Sequence, residues 1–378
     1  MNARAQIQLV AVAALLQLLV AACTTARGQS SPAAGRPDTK GAQPGQLIAA
    51  SDPRFRYEGR LDFADPAGPV VIWEGSRIRL DFEGARLAFR FDGLAGQSFF
   101  DAEVDAERFI VDVPAGVGQR IDYPLPLGLG RHRLVLSKRS EASVGHARFR
   151  GVEIAQGARA WASPPPSYRL RMEFFGDSIT VGACNEDGAA DQWEDRRTHN
   201  NALSYASLTA GAFSADARCT AVSGMGIALG WTDVKAGEVW DRLYPKSGAP
   251  RADLAAWQPD AALVNFGEND GSFASAHGQP FPAGFADGYV ALVQAIRAAY
   301  PRTHLVLLRG GMYNGAQNPS LRQAWEAAVA RLETADPAIS HFVFTHWSLN
   351  HPRVADDRAL ADELTAWLRQ QAFLQRFL

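Results

Sequence analysis

The sequence predicts two domains in series: an all-β sandwich or jelly roll, then a three-layer α/β domain built on a parallel sheet. Three observations carry this. Residues 47–162 hold short apolar–polar alternations punctuated by glycine. Pro164-Pro165-Pro166 then breaks the chain, since three prolines cannot continue a strand ladder. Residues 167–378 alternate short apolar strands with helix-length segments. With 378 residues, 47% of them hydrophobic, the chain has material for two cores.

In the first domain Ile78, Leu80 and Phe82 alternate with Arg77, Arg79 and Asp81, and Leu87, Phe89 and Phe91 with Arg86, Arg90 and Asp92. A two-residue period marks half-buried strands. Gly84, Gly93, Gly96, Gly128 and Gly130 supply frequent turns, and no helix-length amphipathic run occurs. In the second domain, strands are predicted at Leu170–Phe175, Cys219–Val222, Ala261–Phe266, Leu305–Leu308 and His341–Phe344. Helices are predicted at Ala202–Phe213, Phe285–Tyr300, Leu321–Glu333 and Arg358–Leu368. Alternating strand and helix gives a parallel sheet covered on both faces, with its ligand site at the carboxyl ends of the strands.

Residues 1–23 read as a signal: Arg4 gives a positive start, Ile7–Ala22 is mostly apolar, and Val20-Ala21-Ala22-Cys23 ends the run. That ending resembles a bacterial lipobox, which implies lipidation of Cys23. Thr24 follows where the retention signal has Asp, so the expected address is the outer membrane of a Gram-negative cell, reached only through the lipid. Residues 24–46, rich in Ser, Pro, Gly, Ala and Gln, read as a flexible tether spanning roughly 25 Å. Export permits disulfides, so Cys184 and Cys219 have two readings, a pair or two separate buried thiols.

Net charge is −2 and the isoelectric point near 6.5, which gives no sign of a nucleic-acid partner. No Gly-rich phosphate loop, Cys-x-x-Cys pair or His-Glu-x-x-His segment is present, so metal catalysis is not implied. Four segments, each following a predicted strand, supply the parts of an ester-hydrolysing site. They are Gly176-Asp177-Ser178-Ile179-Thr180, Ser223-Gly224-Met225-Gly226, Gly267-Glu268-Asn269-Asp270 and His351-Pro352. Such a site needs a nucleophile, an oxyanion hole and a base. Ser178, at a strand-to-helix turn, offers the hydroxyl and its own N–H. Gly224 lets backbone approach the substrate, and the Asn269 amide is a second donor. His351 is the expected base, with His346 its main rival. His199 is a candidate substrate contact, and His132 and His304 suit packing. Asp270 reads as a local structural carboxylate. Trp193, Tyr205, Trp231 and Trp240 are candidate sugar-stacking rings.

These four segments together resemble the four blocks of the SGNH (GDSL-like) hydrolase superfamily. Trp73-Glu74-Gly75-Ser76, Gly130-Arg131-His132-Arg133 and Lys138-Arg139-Ser140-Glu141 look like the N-terminal jelly roll of carbohydrate esterase family two. Leu203-Ser204-Tyr205-Ala206 and the Arg297–Pro301 helix end also look like that family. The resemblance implies a cofactor-free serine esterase that removes O-acetyl groups from polysaccharides such as xylan or mannan. It assigns Ser178 as nucleophile, Gly224 and Asn269 as oxyanion donors and His351 as base. The rival readings are a lipase or lysophospholipase on the same scaffold and an inactive carbohydrate-binding surface protein.

Two departures stand out. Glu268 occupies a place where the superfamily usually has Thr. Ser348 stands three residues before the His, where the superfamily usually has Asp, and Asn350 is neutral. Asp356 and Asp357 follow His351 at the predicted start of the last helix, where capping accounts for them. The sequence therefore predicts a Ser178–His351 dyad, the imidazole held by a main-chain carbonyl or a neutral side chain.

Overall fold

The computed structural model describes residues 45–377; the signal, Cys23 and the tether up to residue 44 lie outside them. The first strand, Gly45–Ala49, takes in two residues read from sequence as tether, because Gly45 and Gln46 pair with Ala155 and Ile154.

The β-region folds as two six-stranded antiparallel sheets. In one, Gly145–Ala155 lies beside Leu87–Gly96. In the other, Arg77–Glu83, Arg131–Lys138 and Ser98–Val104 run side by side. Alternation sets which face is inside: Ile78, Leu80, Phe82, Phe89 and Phe91 are all fully buried. Phe91 meets Phe100 and Phe149 edgewise or tilted at the centre, with ring centroids 4.9 and 5.4 Å away. The alternation does not hold for every polar residue. Asp81 and Asp92 are buried, each held by an arginine, Arg131 and Arg150 respectively, at 2.9 Å.

The second region carries a five-stranded parallel sheet. Its spatial order is Asp216–Ala221, Arg171–Gly176, Ala261–Asn265, His304–Met312, Ile339–Ser348. Helices Phe285–Ala299 and Pro319–Ala335 bury Tyr289 and Trp325 in one layer. Tyr205–Ala212 and Val354–Leu368 bury Tyr205, Leu360 and Leu364 in the other. The strand earliest in sequence lies between the second and the third, so the order reverses at Arg171–Gly176. In such sheets the crevice opens at the carboxyl end of the reversal point, which is where Ser178 stands.

The two regions share an apolar core. Val70, Ile72, Trp73 and Ala142 pack with Phe175, Val222, Met225 and Trp240. Beneath this layer Arg60 of the β-region donates to Glu173 at 2.8 Å, and Tyr300 and Thr220 donate to the same carboxylate. Cys184 and Cys219 are both free and buried. Cys184 lies by His199 and Cys219 by Asn201, so the paired reading is not what the structure holds.

Candidate active site

Ser178 is the first residue of a one-turn helix, Ser178–Val181, entered directly from the strand Arg171–Gly176. Asp177 caps this turn by accepting from the Ile179 N–H at 3.1 Å. The turn is tight: a Cβ on Gly176 would stand 2.1 Å from Thr180 Oγ1. Gly224 has φ +80°, and a Cβ there would press on Trp231 and Thr232 at 3.1 Å. Glycine is therefore required at both places. Neither the Ser178 nor the Gly224 N–H is committed to another acceptor among the described residues. Ser178, Gly224, Asn269 and His351 line one cleft of about 630 Å³.

His351 lies in the loop between Ile339–Ser348 and Val354–Leu368. Its Nε2 is 2.9 Å from Ser178 Oγ, and its Nδ1 is 2.6 Å from Asp191 Oδ2. This replaces the expected dyad: a carboxylate, not a carbonyl or neutral group, orients the imidazole. Asp191 sits in the loop after the nucleophile helix, 160 positions from His351. It also accepts the His351 N–H at 3.3 Å and pairs with Arg353 at 2.8 Å. Burial works to raise the Asp191 carboxyl, but the hydrogen bond and charge of His351, with Arg353, outweigh it and hold it down at about 2. An ionised carboxylate only accepts hydrogen bonds, so Nδ1 carries the proton and Nε2 is free to accept from Ser178. Arg353 also fastens the loop, donating to Gly188, Cys184 and His351 carbonyls.

Asn269 opens the helix Glu268–Ala276 rather than lying in a plain turn. Its amide donates to Asp177 Oδ2 at 3.0 Å and to the Met225 carbonyl at 3.1 Å. Burial drives the Asp177 carboxyl well above its usual range, with the nearby Glu268 and Asp270 adding to the effect against the Ile179 N–H and Asn269 bonds. Asp270 accepts from the N–H groups of Ile227, Ala228 and Leu229 at 2.8–2.9 Å, fixing the loop after Gly224. Glu268 accepts from Gly315 N–H at 2.6 Å and Asn314 at 3.1 Å, so it braces the neighbouring helix.

Trp193 and Trp231 line the cleft. Trp193 meets His351 edgewise with ring centroids 5.0 Å apart, and Trp231 donates to Ser272. Tyr205 and Trp240 do not reach it. Tyr205 is buried in the core with its hydroxyl against Thr180 and Asn265, and Trp240 packs on Phe175. Their aromatic character served packing, the commoner use of such rings. His199 is fully buried behind Trp193, so it is no substrate contact. His346 pairs with Asp356 at 2.9 Å, away from Ser178. Cys184, Asp191 and His351 bring potential metal-ligand atoms within 4.8 Å of one another, but Asp191 and His351 already share a hydrogen bond.

Residues 174–372, over half the chain, match the GDSL-like Lipase/Acylhydrolase family, and residues 57–164 match Carbohydrate esterase 2 N-terminal. The chain belongs to the GDSL-like lipase/acylhydrolase family. Within it, the chain is 29% identical over 341 residues to the cellulase/esterase CelE of Acetivibrio thermocellus. That match takes in 87% of this chain and 41% of CelE, so the chain spans less than half of that relative. An acetylxylan esterase / glucomannan deacetylase of Cellvibrio japonicus is 27% identical, with 83% of this chain and 90% of that protein covered. A family two carbohydrate esterase from Clostridium thermocellum, solved with cellohexaose, superposes with TM-score 0.76 at 28% identity. It covers 86% of this chain and 100% of that one. The jelly roll followed by a parallel α/β domain is the arrangement of these family two esterases.

Proposed function

We propose that this protein is a serine esterase that removes O-acetyl groups from polysaccharides of the xylan or mannan type, or from their oligosaccharides. One observation carries the reading: Asp191, His351 and Ser178 form an unbroken hydrogen-bonded line ending in a cleft that also holds Gly224 and Asn269. The names of the relatives support the acetyl ester and the sugar. The rings of Trp193 and Trp231 both line the cleft and offer flat apolar surface suited to a sugar face.

In this mechanism His351 Nε2 takes the Ser178 proton as Oγ attacks the acetyl carbonyl. Negative charge gathers on the carbonyl oxygen, where the N–H groups of Ser178 and Gly224 receive it. The Asn269 amide turns to it from the neutral Met225 carbonyl, a weaker acceptor. His351 then gives its proton to the sugar oxygen, and that C–O bond breaks. Water, deprotonated by His351, attacks the acetyl-enzyme and releases acetate. Asp191 stabilises the imidazolium in both halves without itself becoming protonated. Acetate release from acetylated xylan and glucomannan, set beside hydrolysis of short and long activated acyl esters, tests the reading. No acetate from either polymer, or a preference for long acyl chains, would overturn it.

For location, the run Val20-Ala21-Ala22-Cys23 supports a lipid on Cys23 and an outer-membrane address. Among the described residues no helix is long and apolar enough to cross a membrane. Mass spectrometry of the mature N-terminus decides the matter, an unmodified Cys23 ending the proposal.

A further inference from the structure

Two motifs of the β-region carry buried glutamates for which the mechanism above has no use: Trp73-Glu74-Gly75-Ser76 and Lys138-Arg139-Ser140-Glu141. Both side chains are buried, 1% and 0% exposed. Each reaches across the domain boundary to the same short stretch of the catalytic sheet. Glu74 accepts from the Ala221 N–H at 3.1 Å, and Glu141 accepts from the Ser223 N–H at 2.8 Å. Ala221 ends the strand Asp216–Ala221, and the next turn holds Gly224.

The spacing has a physical cause. Asp216–Ala221 is the edge strand of the parallel sheet, bonded on one side only, to Arg171–Gly176. Along an edge, every second N–H points outward without a partner. Ala221 and Ser223 are two residues apart, and both outward N–H groups end on a carboxylate from the other domain. An N–H bonded to an ionised carboxylate is held about twice as strongly as one bonded to a neutral acceptor. Burial pushes the Glu74 carboxyl up to about 7, so at neutral pH its bond to Ala221 carries only part of that gain.

The carboxylates are themselves fixed. Glu74 accepts the Ala142 N–H at 3.1 Å, which ties the two motifs together, and Glu141 accepts the Ser143 hydroxyl at 2.8 Å. Lys138, also buried, donates to the Ser140 carbonyl at 2.7 Å and hydroxyl at 2.9 Å and so shapes the loop that carries Glu141. Arg139 pairs with Asp101 and donates to the Arg197 carbonyl, anchoring that loop to both domains. On the far side of Gly224, Asp270 holds the N–H groups of Ile227, Ala228 and Leu229.

We infer that the β-domain is part of the catalytic apparatus, with Glu74 and Glu141 as positioning residues that clamp the Ala221–Ser223 backbone and so aim the Gly224 N–H at the oxyanion. This rests on the esterase reading of the site. The clamp acts when charge develops and not when substrate binds, so its signature is a loss in kcat with KM preserved.

The test uses the full chain with p-nitrophenyl acetate and a small alkylboronic acid, which forms a tetrahedral adduct on a serine hydroxyl with an oxygen in the oxyanion position. Glu141→Ala should lower kcat about tenfold to a hundredfold, short of the 10²–10³ for deleting an oxyanion donor outright. KM should stay within about twofold, and boronate affinity should fall by the same factor as kcat. Glu141→Gln keeps an oxygen that accepts the Ser223 N–H and should recover to within about threefold of wild type. An unchanged kcat, a change in KM alone or an undiminished boronate affinity would each overturn the clamp. If Glu141→Ala does not fold, Glu141→Asp, which draws the carboxylate back while keeping its charge, is read by the same kcat–KM split. Misfolding of all three variants would also overturn it, making Glu141 cement between domains. Wild-type protein without activity on the acetate ester would instead remove the esterase reading itself.

Discussion

The two walls of the cleft are held by opposite means. On the base wall, His351, Asp191 and Arg353 come from loops of the α/β domain, and their side chains are 14%, 20% and 21% exposed. On the oxyanion wall, Glu74, Glu141 and Asp270 are almost completely buried, and two of the three belong to the other domain. The difference follows from the work each wall does. A base must exchange protons with substrate and water in each turnover, so it needs access and a tautomer set by one neighbour. The backbone oxyanion donors must be held still, because their value lies in being aimed before charge appears. Rigid burial serves the second wall and would hinder the first.

The largest effect expected is at the atom both walls serve. Ser178→Ala should lower kcat by about 10⁶, as removing a hydrolase nucleophile does, with the fold unchanged by circular dichroism. Next is the base wall's anchor. Asp191→Asn should cost about 10⁴ in kcat by removing the charge that fixes the tautomer and stabilises the imidazolium. The pH dependence sharpens this. The Asp191 carboxyl is held at about 2, below its usual 3.8, so its stabilising contribution is complete above pH 3.8 and fades only as pH falls towards 2. The deficit of Asp191→Asn should therefore be the same at pH 8 as at pH 9, far above any titration of that carboxyl. A deficit that closes between those values, or one under about tenfold, would return the site to a dyad.

On the oxyanion wall, Asn269→Ala should lower kcat by about 10²–10³. A rise in KM with kcat intact would make Asn269 a substrate contact instead. The effects are unequal across the cleft because the base wall has one anchor and the other wall has several that share the work.

Much of this was legible in the chain. The two-residue period gave the β-region its inner face, and Ser178, Gly224, Asn269 and His351 each followed an apolar run that became a parallel strand. Helix Glu268–Ala276 escaped notice because Gly271 and three polar residues in its first turn dilute its apolar face. Asp191 is not legible from the sequence around His351, because the sheet brings distant loops together across its carboxyl edge. The signal was present in part: Arg353, two residues after His351, is a cation in want of a carboxylate, and Asp191 is one of five acids in the nucleophile loop, with Glu186, Asp187, Glu194 and Asp195. Tyr205 and Trp240 were misplaced because sequence shows that a ring is present and not which layer receives it. Glu74 and Glu141 stood in recognised motifs, but no local pattern says that a glutamate on one domain will end an edge strand on another.

The clamp shares its boundary with a contact that does different work. Arg60 and Glu173 are 2% and 0% exposed and bind the β-region to the strand Arg171–Gly176. Arg60→Met should lower stability by about 3–5 kcal/mol, because it leaves the Glu173 carboxylate buried without its cation. The kcat of the folded fraction should match wild type. Denaturant unfolding beside active-site-titrated kcat separates the two, and a kcat loss like that of Glu141→Ala would mean that any disturbance of the boundary reaches the cleft.

The smallest effect expected concerns another histidine–carboxylate pair. His346 Nε2 lies 2.9 Å from Asp356 Oδ1, a geometry like that of His351 and Asp191, and both pairs stand in the same stretch of chain. What separates them is the third member. His351 has Ser178 on its other nitrogen, while His346 is held by its backbone N–H to Glu363 and has no part in the cleft lining. Asp356 also accepts the Arg353 N–H at 2.9 Å, which caps the helix Val354–Leu368. Asp356→Ala should therefore cost about 0.5–2 kcal/mol of stability, the usual loss of a helix cap. Its effect on kcat should stay under tenfold, less than about 1.4 kcal/mol of barrier, since Arg353 keeps its bonds to the Gly188, Cys184 and His351 carbonyls. A thousandfold loss in kcat from folded Asp356→Ala, with Asp191→Asn near wild type, would exchange the two carboxylates' roles and leave the base wall without the anchor assigned to it.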